Sequence, residues 1–148
     1  MRFFLLVVLF TAGCSLVENE DQEELDRNRQ LWASQNIDDY QFDLDFGCFC
    51  LVTDYGTLTI TVEDGEVVSI VPEFEPEDLQ PFSERNRASD RRTIEDYFDL
   101  VEDIIDEAER WSVTYDPRFG FPAKISADYD LDIADEEQAY TISAFQAR

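Results

Sequence analysis

Apolar and polar side chains alternate strictly over residues 40–46. The apolar positions are Tyr40, Phe42, Leu44 and Phe46, and the positions between them are Gln41, Asp43 and Asp45. Because successive side chains of a β-strand point to opposite faces, this pattern predicts a strand with one buried face and one solvated face. One face of the resulting sheet must therefore pack against other elements of the fold, whereas the other face can be exposed to water.

A second alternation, over residues 57–62, predicts another strand of the same kind. It places Leu58, Ile60 and Val62 between threonines. The Asp64-Gly65 pair that follows is the strongest short-range signal for a β-hairpin, so a return strand should follow and end at Pro72. The stretch near 72–90 is rich in charge and proline and has little periodicity, which predicts a long exposed loop.

Two segments carry helical patterns. Residues 20–34 form a polar segment with a few apolar points, which predicts a modest helix. Residues 93–108 predict a stronger one, with Thr93 as the N-cap and Glu95 and Asp96 in the first turn, where the helix dipole favours acids. Its apolar positions fall on one stripe, and they are Ile94, Tyr97, Phe98, Val101, Ile104, Ile105 and Ala108.

Three further strands are predicted in the second half of the chain, at residues 111–115, 123–129 and 138–145. The order is then a helix and three strands, repeated twice. Helices gathered against one face of an antiparallel sheet satisfy this pattern. We therefore expect an α+β fold, with about six antiparallel strands and two helices on one face, in a single domain over residues 20–148.

The N-terminus has the three parts of a secretory signal. Arg2 supplies a positive charge, residues 3–10 are continuously apolar, and residues 11–13 are small. As a helix the apolar run would rise only about 12 Å, against a hydrocarbon core of about 30 Å, so it is too short to span a bilayer. Residues 1–13 are therefore predicted to be a signal peptide.

The residues Thr11-Ala12-Gly13-Cys14 resemble the lipobox of bacterial lipoproteins. The resemblance implies that Cys14 is acylated and becomes the first residue of the mature protein, with residues 14–19 as a lipidated tether. Ser15 at the next position resembles a signal for the outer membrane. The expected location is the bacterial cell envelope, lipid-anchored, on the periplasmic face of the outer membrane, and the membrane is the first expected partner.

The chain is strongly acidic. Its 35 acidic and 11 basic residues give a formal net charge of -24. Such a surface repels nucleic acid, so no nucleic-acid partner is expected. A cationic or apolar protein partner in the envelope fits this charge, and so does a divalent metal. A solvated acidic shell suited to a salty medium is the simpler interpretation and the one favoured here.

Four short pieces of sequence are distinctive when taken together. They are Cys48-Phe49-Cys50 after Tyr40; Val62-Glu63-Asp64-Gly65; Tyr115-Asp116-Pro117-Arg118-Phe119-Gly120-Phe121-Pro122; and Ile125 and Asp128 with Asp135-Glu136-Glu137. These pieces resemble a family of secreted bacterial proteins known only as a domain of unknown function, over residues 31–145. The resemblance implies export and a single domain, and it implies no activity.

Cys48 and Cys50 are the sharpest chemical feature of the mature chain. If Cys14 is acylated they are the remaining thiols, in a compartment where disulfides persist. A disulfide that ties off the strand end is the first interpretation, although a ring over one intervening residue would be strained and easily reduced. Redox chemistry comes second and a copper(I) site third, because the chain has no histidine to complete such a site.

The stretch Asp116-Pro117-Arg118-Phe119-Gly120 predicts a turn between two strands. Asp116 can accept hydrogen bonds from backbone N–H groups just downstream, Pro117 presets φ, and Gly120 can take a left-handed conformation. One of the neighbouring phenylalanines should then fold onto the core while Arg118 points to solvent. The alternative is a binding loop in which Arg118 and the aromatic residues meet a ligand or partner.

No catalytic or metal-binding pattern emerges. An EF-hand loop starting at Asp128 would need glycine at Ile133 and glutamate at Ala139, so a calcium loop is not predicted. Without histidine there is no Ser-His or Cys-His pair to activate a nucleophile. We expect no cofactor and no metal, and the sequence favours a non-catalytic role over an enzyme.

Two functions remain open from the sequence. The first is a membrane-anchored envelope lipoprotein whose domain is a non-catalytic binding or interaction module. The second is a thiol-active envelope protein that works through Cys48 and Cys50.

Overall fold

The computed structural model describes residues 15–48, 56–74, 91–133 and 137–148, with the backbone alone for residues 15–19 and Cys48. The elements in chain order are α1 (Ser15–Ser34), β1 (Tyr40–Cys48), β2 (Leu58–Glu63), β3 (Glu66–Pro72), α2 (Ile94–Glu107), β4 (Arg110–Tyr115), β5 (Pro122–Asp128) and β6 (Gln138–Ala147). The order of one helix and three strands, repeated, is the one predicted.

The six strands form one antiparallel sheet in the order β3-β2-β1-β6-β5-β4. The first and last strands of the chain pair at its centre, and β3 and β4 are its edges. Asp64 and Gly65 connect β2 to β3 with φ of 52° and 73°, as a two-residue hairpin of the predicted kind requires. The α+β prediction is confirmed.

Both helices pack against the same face of the sheet, called here the covered face. The core consists of alternate residues of the strands together with the apolar stripe of α2 and two residues of α1. The fully buried large side chains are Tyr40, Tyr97, Phe42, Phe98, Leu25, Leu44, Ile60, Ile94, Ile104, Ile125, Val62 and Val101. The period of two in β1 and β2 and the helical stripe of α2 thus meet in one hydrophobic layer.

Helix α2 begins at a complete capping box. The Thr93 hydroxyl accepts from the Asp96 N–H at 3.2 Å, and the Asp96 carboxylate accepts from the Thr93 N–H at 2.7 Å. Two of the N–H groups that every helix start leaves unpaired are therefore satisfied.

One carboxylate joins both helices to β1. Glu95 accepts from the Trp32 indole N–H at 2.7 Å through Oε1 and from the Tyr40 hydroxyl at 3.2 Å through Oε2. The Tyr40 oxygen in turn accepts from the Ile94 N–H at 2.9 Å. Burial raises the pKa of Tyr40, and the nearby Glu95 carboxylate raises it further, while the bond from Ile94 acts in the opposite direction. We call these four residues the Glu95 clamp.

A bulge in β6 decides which way its last aromatic residue faces. The register shift between Gln41 and Asp43 leaves Ala144 and Phe145 opposite Phe42, and Ala144 has a φ of 50°. The extra residue turns Phe145 onto the covered face. Its ring centroid lies 4.9–5.7 Å from the rings of Trp32, Tyr40, Phe119 and Phe121.

Several element boundaries differ from the sequence prediction, and β5 runs from Pro122 to Asp128 rather than over 123–129. Helix α1 begins at Ser15, five residues before the predicted start at 20. Strand β4 begins at Arg110 and β6 continues to Ala147. Within the ranges that the structure describes, no helix is both long and apolar enough to cross a bilayer.

Candidate functional site

The side of the sheet opposite the helices is polar, and it is called here the open face. The strand register places small polar and acidic residues on it. They are Gln41, Asp43, Asp45, Thr59, Thr61, Ser69, Ser112, Thr114, Lys124, Ser126, Thr141 and Ser143, with Val71 and Ala139 as its apolar members. The open face is thus a surface of hydroxyl groups that neither helix covers.

Two aspartates of β1 are held by threonine hydroxyls on this face. The Thr59 hydroxyl donates to Asp43 Oδ1 at 2.8 Å, and the Thr57 hydroxyl donates to Asp45 Oδ1 at 2.8 Å. Both contacts are cross-strand pairs that stabilise a sheet modestly. They occupy one oxygen of each carboxylate, so the charge stays exposed to water while its position is fixed.

The only lysine of the chain lies on the same face. Lys124 of β5 pairs with Thr141 of β6, which pairs with Asp45 of β1, and on its other side Lys124 pairs with Thr114 of β4. The four residues form one row across four strands. Lys124 is exposed, and it shares the open face with Arg110, which the register places on the same side of β4 as Ser112 and Thr114.

The two edge strands present different surfaces. Val68 of β3 is left without a partner by a register shift, and Pro72 at the end of the strand has no N–H group. Glu66 and Glu73 add charge at either end of this strand. A bulge, a proline and charges are the devices by which natural sheets prevent further strands from pairing at an edge.

Strand β4 has fewer of these devices. Residues 110–114 pair in continuous register with β5, and the shift comes only between Thr114 and Tyr115. The strand contains no proline, and its side chains alternate between half-buried Trp111, Val113 and Tyr115 and exposed Ser112 and Thr114. Across the part of the chain that the structure describes, β5 is its only strand partner.

Acidic groups lie near both ends of β4. Burial raises the pKa of Tyr115 first, and the carboxylates of Glu24 and Asp21 on α1 raise it further, against the opposing charge of Arg29. Glu109 directly precedes the strand and accepts from the Leu131 N–H at 3.0 Å. The local potential is therefore negative, as the charge of the whole chain suggests.

The arginine that begins β4 is already paired. Its guanidinium donates to Asp128 Oδ2 at 2.7 Å, and the Asp128 side chain is only 8% exposed. Arg110 therefore offsets a buried carboxylate, and little of its charge is left to oppose the acids around the strand.

The turn after β4 contains the predicted turn or binding-loop residues Asp116, Pro117, Arg118, Phe119 and Gly120. Asp116 Oδ1 accepts from the N–H groups of Arg118 and Phe119, both at 2.8 Å. The Asp116 N–H donates to the Phe121 carbonyl, and the Gly120 N–H donates to the Asp116 carbonyl, both at 2.8 Å. One aspartate thus organises the backbone of the whole turn.

Gly120 brings this turn against α1. It has a φ of 84°, and a Cβ at this position would lie 2.6 Å from the Asn28 carbonyl oxygen and 3.1 Å from Leu31 Cβ. Glycine is therefore required for two reasons, the left-handed backbone and the close approach of the helix. The turn is packed onto the domain rather than extended from it.

The side chains of the turn divide between core and solvent. Phe121 is buried, and Phe119 is half-buried with its centroid 4.9 Å from that of Phe145. Arg118 is exposed, and its guanidinium carbon lies 4.7 Å from the Phe119 ring centroid. The turn therefore offers one cation on an aromatic ring, which is a small surface for a binding loop.

A shallow cavity of about 270 Å³ lies beside the start of α2. It is lined by Arg91, Arg92, Asp96, Asp99, Leu100 and Asp103. The Arg92 guanidinium lies over the rings of Tyr97 and Tyr140, at 5.9 and 5.5 Å, and donates to the Tyr140 hydroxyl at 3.3 Å. The cavity mixes both signs of charge and favours neither an anion nor a cation.

The predicted lipidation site and disulfide lie largely outside the described residues. Cys14 and Cys50 are both outside them, and Cys48 is the last residue of β1, paired with Gln138 of β6. The predicted pairing of Cys48 with Cys50 therefore stays a prediction. Among the residues that the structure does describe, no three acidic, cysteine or histidine side chains group as metal ligands.

The sequence interpretation missed the unblocked edge at β4. The strand itself was predicted, but its place at the edge depends on the pairing of β1 with β6, which brings together residues about one hundred positions apart in the chain. The only local sign was composition, because Trp111, Val113 and Tyr115 have high β propensity and no proline interrupts them.

Comparison with known proteins identifies a family and nothing further. No curated protein and no solved structure matches the chain significantly. Residues 24–147 match the profile of a family of unknown function, DUF6174. This match begins within α1, at residue 24, and ends at the last residue of β6, so it includes the second part of α1, all of α2 and the whole sheet. The chain belongs to the DUF6174 family of unknown function.

Proposed function

We propose that this protein is a lipid-anchored lipoprotein of the bacterial cell envelope, and that its domain is a non-catalytic binding module. The observation that carries the first half is the N-terminal order of Arg2, the apolar residues 3–10, and the lipobox-like residues 11–14. A short apolar run that ends at small residues and a cysteine is typical of a processed lipoprotein signal. Ser15 after Cys14 supports the periplasmic face of the outer membrane as its location.

The position at which α1 begins determines how the proposed anchor is joined to the domain. The helix begins at Ser15, directly after the proposed lipidated residue, and Leu25 is the first buried side chain along its described part. Ten residues of helix rise about 15 Å. Acyl chains on Cys14 would therefore be joined to the domain by a helical segment, and the domain would stand at a defined height above the bilayer.

The binding half of the proposal is supported by the surfaces that the fold leaves uncovered. The open face fixes hydroxyl groups and two aspartates in place through cross-strand hydrogen bonds, and no strand among the described residues pairs with the outer edge of β4. Both surfaces are rigid, because they belong to a sheet held by a hydrophobic layer. Rigid polar surfaces bind a partner with little loss of conformational entropy.

Metabolic labelling with a fatty acid tests the anchor. In the native host the wild-type chain should incorporate the label and remain with the membrane fraction, because acylation adds about 0.8 kcal/mol of membrane affinity per buried methylene. Cys14→Ser should give an unprocessed, unlabelled precursor. If Cys14→Ser is matured and held in the membrane like the wild type, the lipoprotein proposal is wrong.

A second experiment separates the binding module from the thiol-active protein. The variant with both Cys48→Ser and Cys50→Ser keeps the surfaces of a binding module but loses all thiol chemistry beyond Cys14. The proposal predicts that photo-crosslinking in intact envelopes gives the same adducts for this variant and for the wild type. Loss of every adduct, with the domain still folded by circular dichroism, would favour a thiol-active function instead.

A further inference from the structure

Among the strands that the structure describes, none pairs with the outer edge of β4. An edge strand directs alternate backbone N–H and C=O groups away from the sheet, where another extended chain can bind them. Residues 110–114 keep continuous register with β5 and contain no proline, so their outer groups lie along a regular ladder. Strand β3, with its bulge at Val68 and its Pro72, offers no such ladder.

The charge around β4 selects the kind of segment that would pair there. Glu109 directly precedes the strand, and its own Arg110 is engaged with Asp128. Asp21 and Glu24 of α1 act on Tyr115, and the opposing Arg29 is itself paired with Asp99 and Glu102. An acidic segment would meet like charges on binding, whereas lysine or arginine would find opposite charges. The carboxylates of α1 lie on the covered side of β4, so the basic side chains of the added strand should point to that side.

The side chains on the open side of β4 favour a different type of residue in the added strand. Ser112 and Thr114 are exposed there, with Lys124 next to Thr114 on β5. Threonine or serine on the added strand could form cross-strand hydroxyl pairs with them, and a basic residue on this side would be repelled by Lys124. The matching segment therefore alternates between basic residues and small hydroxyl residues.

A second copy of this chain fits the edge poorly. Each copy carries a formal net charge of -24, and pairing two β4 edges would bring the acids of both α1 helices together. Like charges placed opposite each other destabilise a strand pair. A partner of opposite charge meets no such cost.

We propose that β4 is the docking edge of this protein, and that it binds an extended basic segment of a partner by adding it to the sheet as a seventh strand. The proposal rests on the binding-module half of the proposed function and names the partner's chemistry. It does not depend on the anchor, so fatty-acid labelling and the peptide-binding experiment below can fail independently of each other.

The experiment uses the full-length chain in detergent micelles and a fluorescent peptide of alternating lysine and threonine. Binding is measured by anisotropy. A peptide of the same charge with prolines in place of threonines is the control for non-specific attraction, since proline removes the N–H groups that pair strands. The proposal predicts binding of the lysine–threonine peptide and at least about tenfold weaker binding of the proline peptide, because the backbone bonds are lost.

Matched lysine variants locate the binding edge. Ser112→Lys with Thr114→Lys places two positive charges on β4, and Ser69→Lys with Val71→Lys places two on the same face of β3. All four positions are exposed, so both variants should fold, and a thermal melt of each checks this. The β4 variant should weaken peptide binding by about tenfold or more, because it removes both hydroxyl partners of the peptide threonines and adds two charges of the peptide's own sign at the same edge. The β3 variant should change binding by less than about twofold, because its charges lie at the far edge of the sheet.

Four results would overturn the proposal. The first is equal binding of the two peptides, and the second is an equal loss of binding in the β3 and β4 variants, since either makes the attraction non-specific. The third is a concentration-dependent dimer, seen by sedimentation, that Ser112→Lys with Thr114→Lys abolishes, because β4 would then be a self-association edge. If the peptide fails to bind while Cys14 is labelled normally, the docking edge is wrong and the lipoprotein assignment stands.

Discussion

The covered face and the open face of this sheet are built by the same strands with opposite chemistry. On β1, Phe42 is fully buried against the helices, and Asp43, one residue later, lies on the open face with its carboxylate held by Thr59. Aromatic contacts and the Glu95 clamp fix the covered face, whereas short polar side chains cover the open one. Stability is therefore concentrated on the covered side of the sheet, whereas neither helix packs on the open face and no described strand pairs with the outer edge of β4.

Outside the strands of the core, the largest effect is expected where the β4–β5 turn meets α1. Gly120→Ala should destabilise the domain by about 3 kcal/mol, because the new Cβ needs a left-handed backbone and also meets the Asn28 carbonyl at 2.6 Å. Urea denaturation measures the loss. Gly65→Ala is the matched control, since its φ is 73° and nothing lies within 4 Å of its Cβ position. Equal losses at both sites would show that the close approach of Gly120 to α1 contributes nothing to stability.

The Glu95 clamp is expected to give the next largest effect. Glu95→Ala leaves the Trp32 indole N–H and the Tyr40 hydroxyl without their acceptor, which should cost about 2 kcal/mol in the free energy of unfolding. Asp106→Ala is the control on the same helix, because Asp106 is exposed in the last turns, where the dipole disfavours an acid. Thermal melts of both variants test the clamp, and a wild-type melt for Glu95→Ala would contradict it.

Alkaline pH should lower the free energy of unfolding through two tyrosines of the covered face. Burial raises the pKa of Tyr40 and of Tyr115 above their ordinary value near 10. The folded state therefore keeps protons that the unfolded state has lost once the pH exceeds about 10, so stability is constant with respect to these groups below that pH and falls above it.

The slope should approach about 1.4 kcal/mol per pH unit for each tyrosine. Urea denaturation between pH 8 and about pH 11 measures it. Tyr40→Phe starts from a lower stability, because its hydrogen bonds are lost, but it should show a shallower decline above pH 10. A decline as steep as that of the wild type would show that Tyr40 does not contribute to the pH dependence of stability.

Two neighbouring residues of the β4–β5 turn should differ by a smaller amount. Asp116→Ala removes the acceptor of two backbone N–H groups and should cost about 1 kcal/mol, whereas Arg118→Ala should change stability by less than about 0.5 kcal/mol because its side chain is exposed. Thermal melts distinguish the two. If Asp116→Ala melts like the wild type while Arg118→Ala abolishes a crosslinked adduct in the envelope, the turn is a binding loop.

Much of the fold could be predicted because its signals are local. The alternation in β1 and β2, the Asp64-Gly65 hairpin and the Thr93 cap each act within a few residues, where propensity and hydrogen bonding decide the structure. The family resemblance was also read from short motifs, and the profile match over residues 24–147 confirms membership in a family of unknown function.

The rest could not be predicted because it depends on distant residues. Phe145 reaches the covered face through a bulge that only the pairing of β6 with β1 reveals. The sequence predicts Glu95 only as an acid that the helix dipole favours in the first turn of α2. In the structure it also accepts hydrogen bonds from Trp32 and Tyr40, more than fifty positions away. The β4 edge is likewise a property of sheet order, which no short window of sequence contains.

The most direct test of the division between the two faces is urea denaturation of two adjacent variants on the central strand β1. Phe42→Ala removes a fully buried ring and should lower the free energy of unfolding by about 3–5 kcal/mol. Asp43→Ala removes a carboxylate bonded to one threonine on the open face and should lower it by less than about 1 kcal/mol. If Asp43→Ala proves as destabilising as Phe42→Ala, the open face contributes as much to stability as the covered face, and the proposed division between the two faces is wrong.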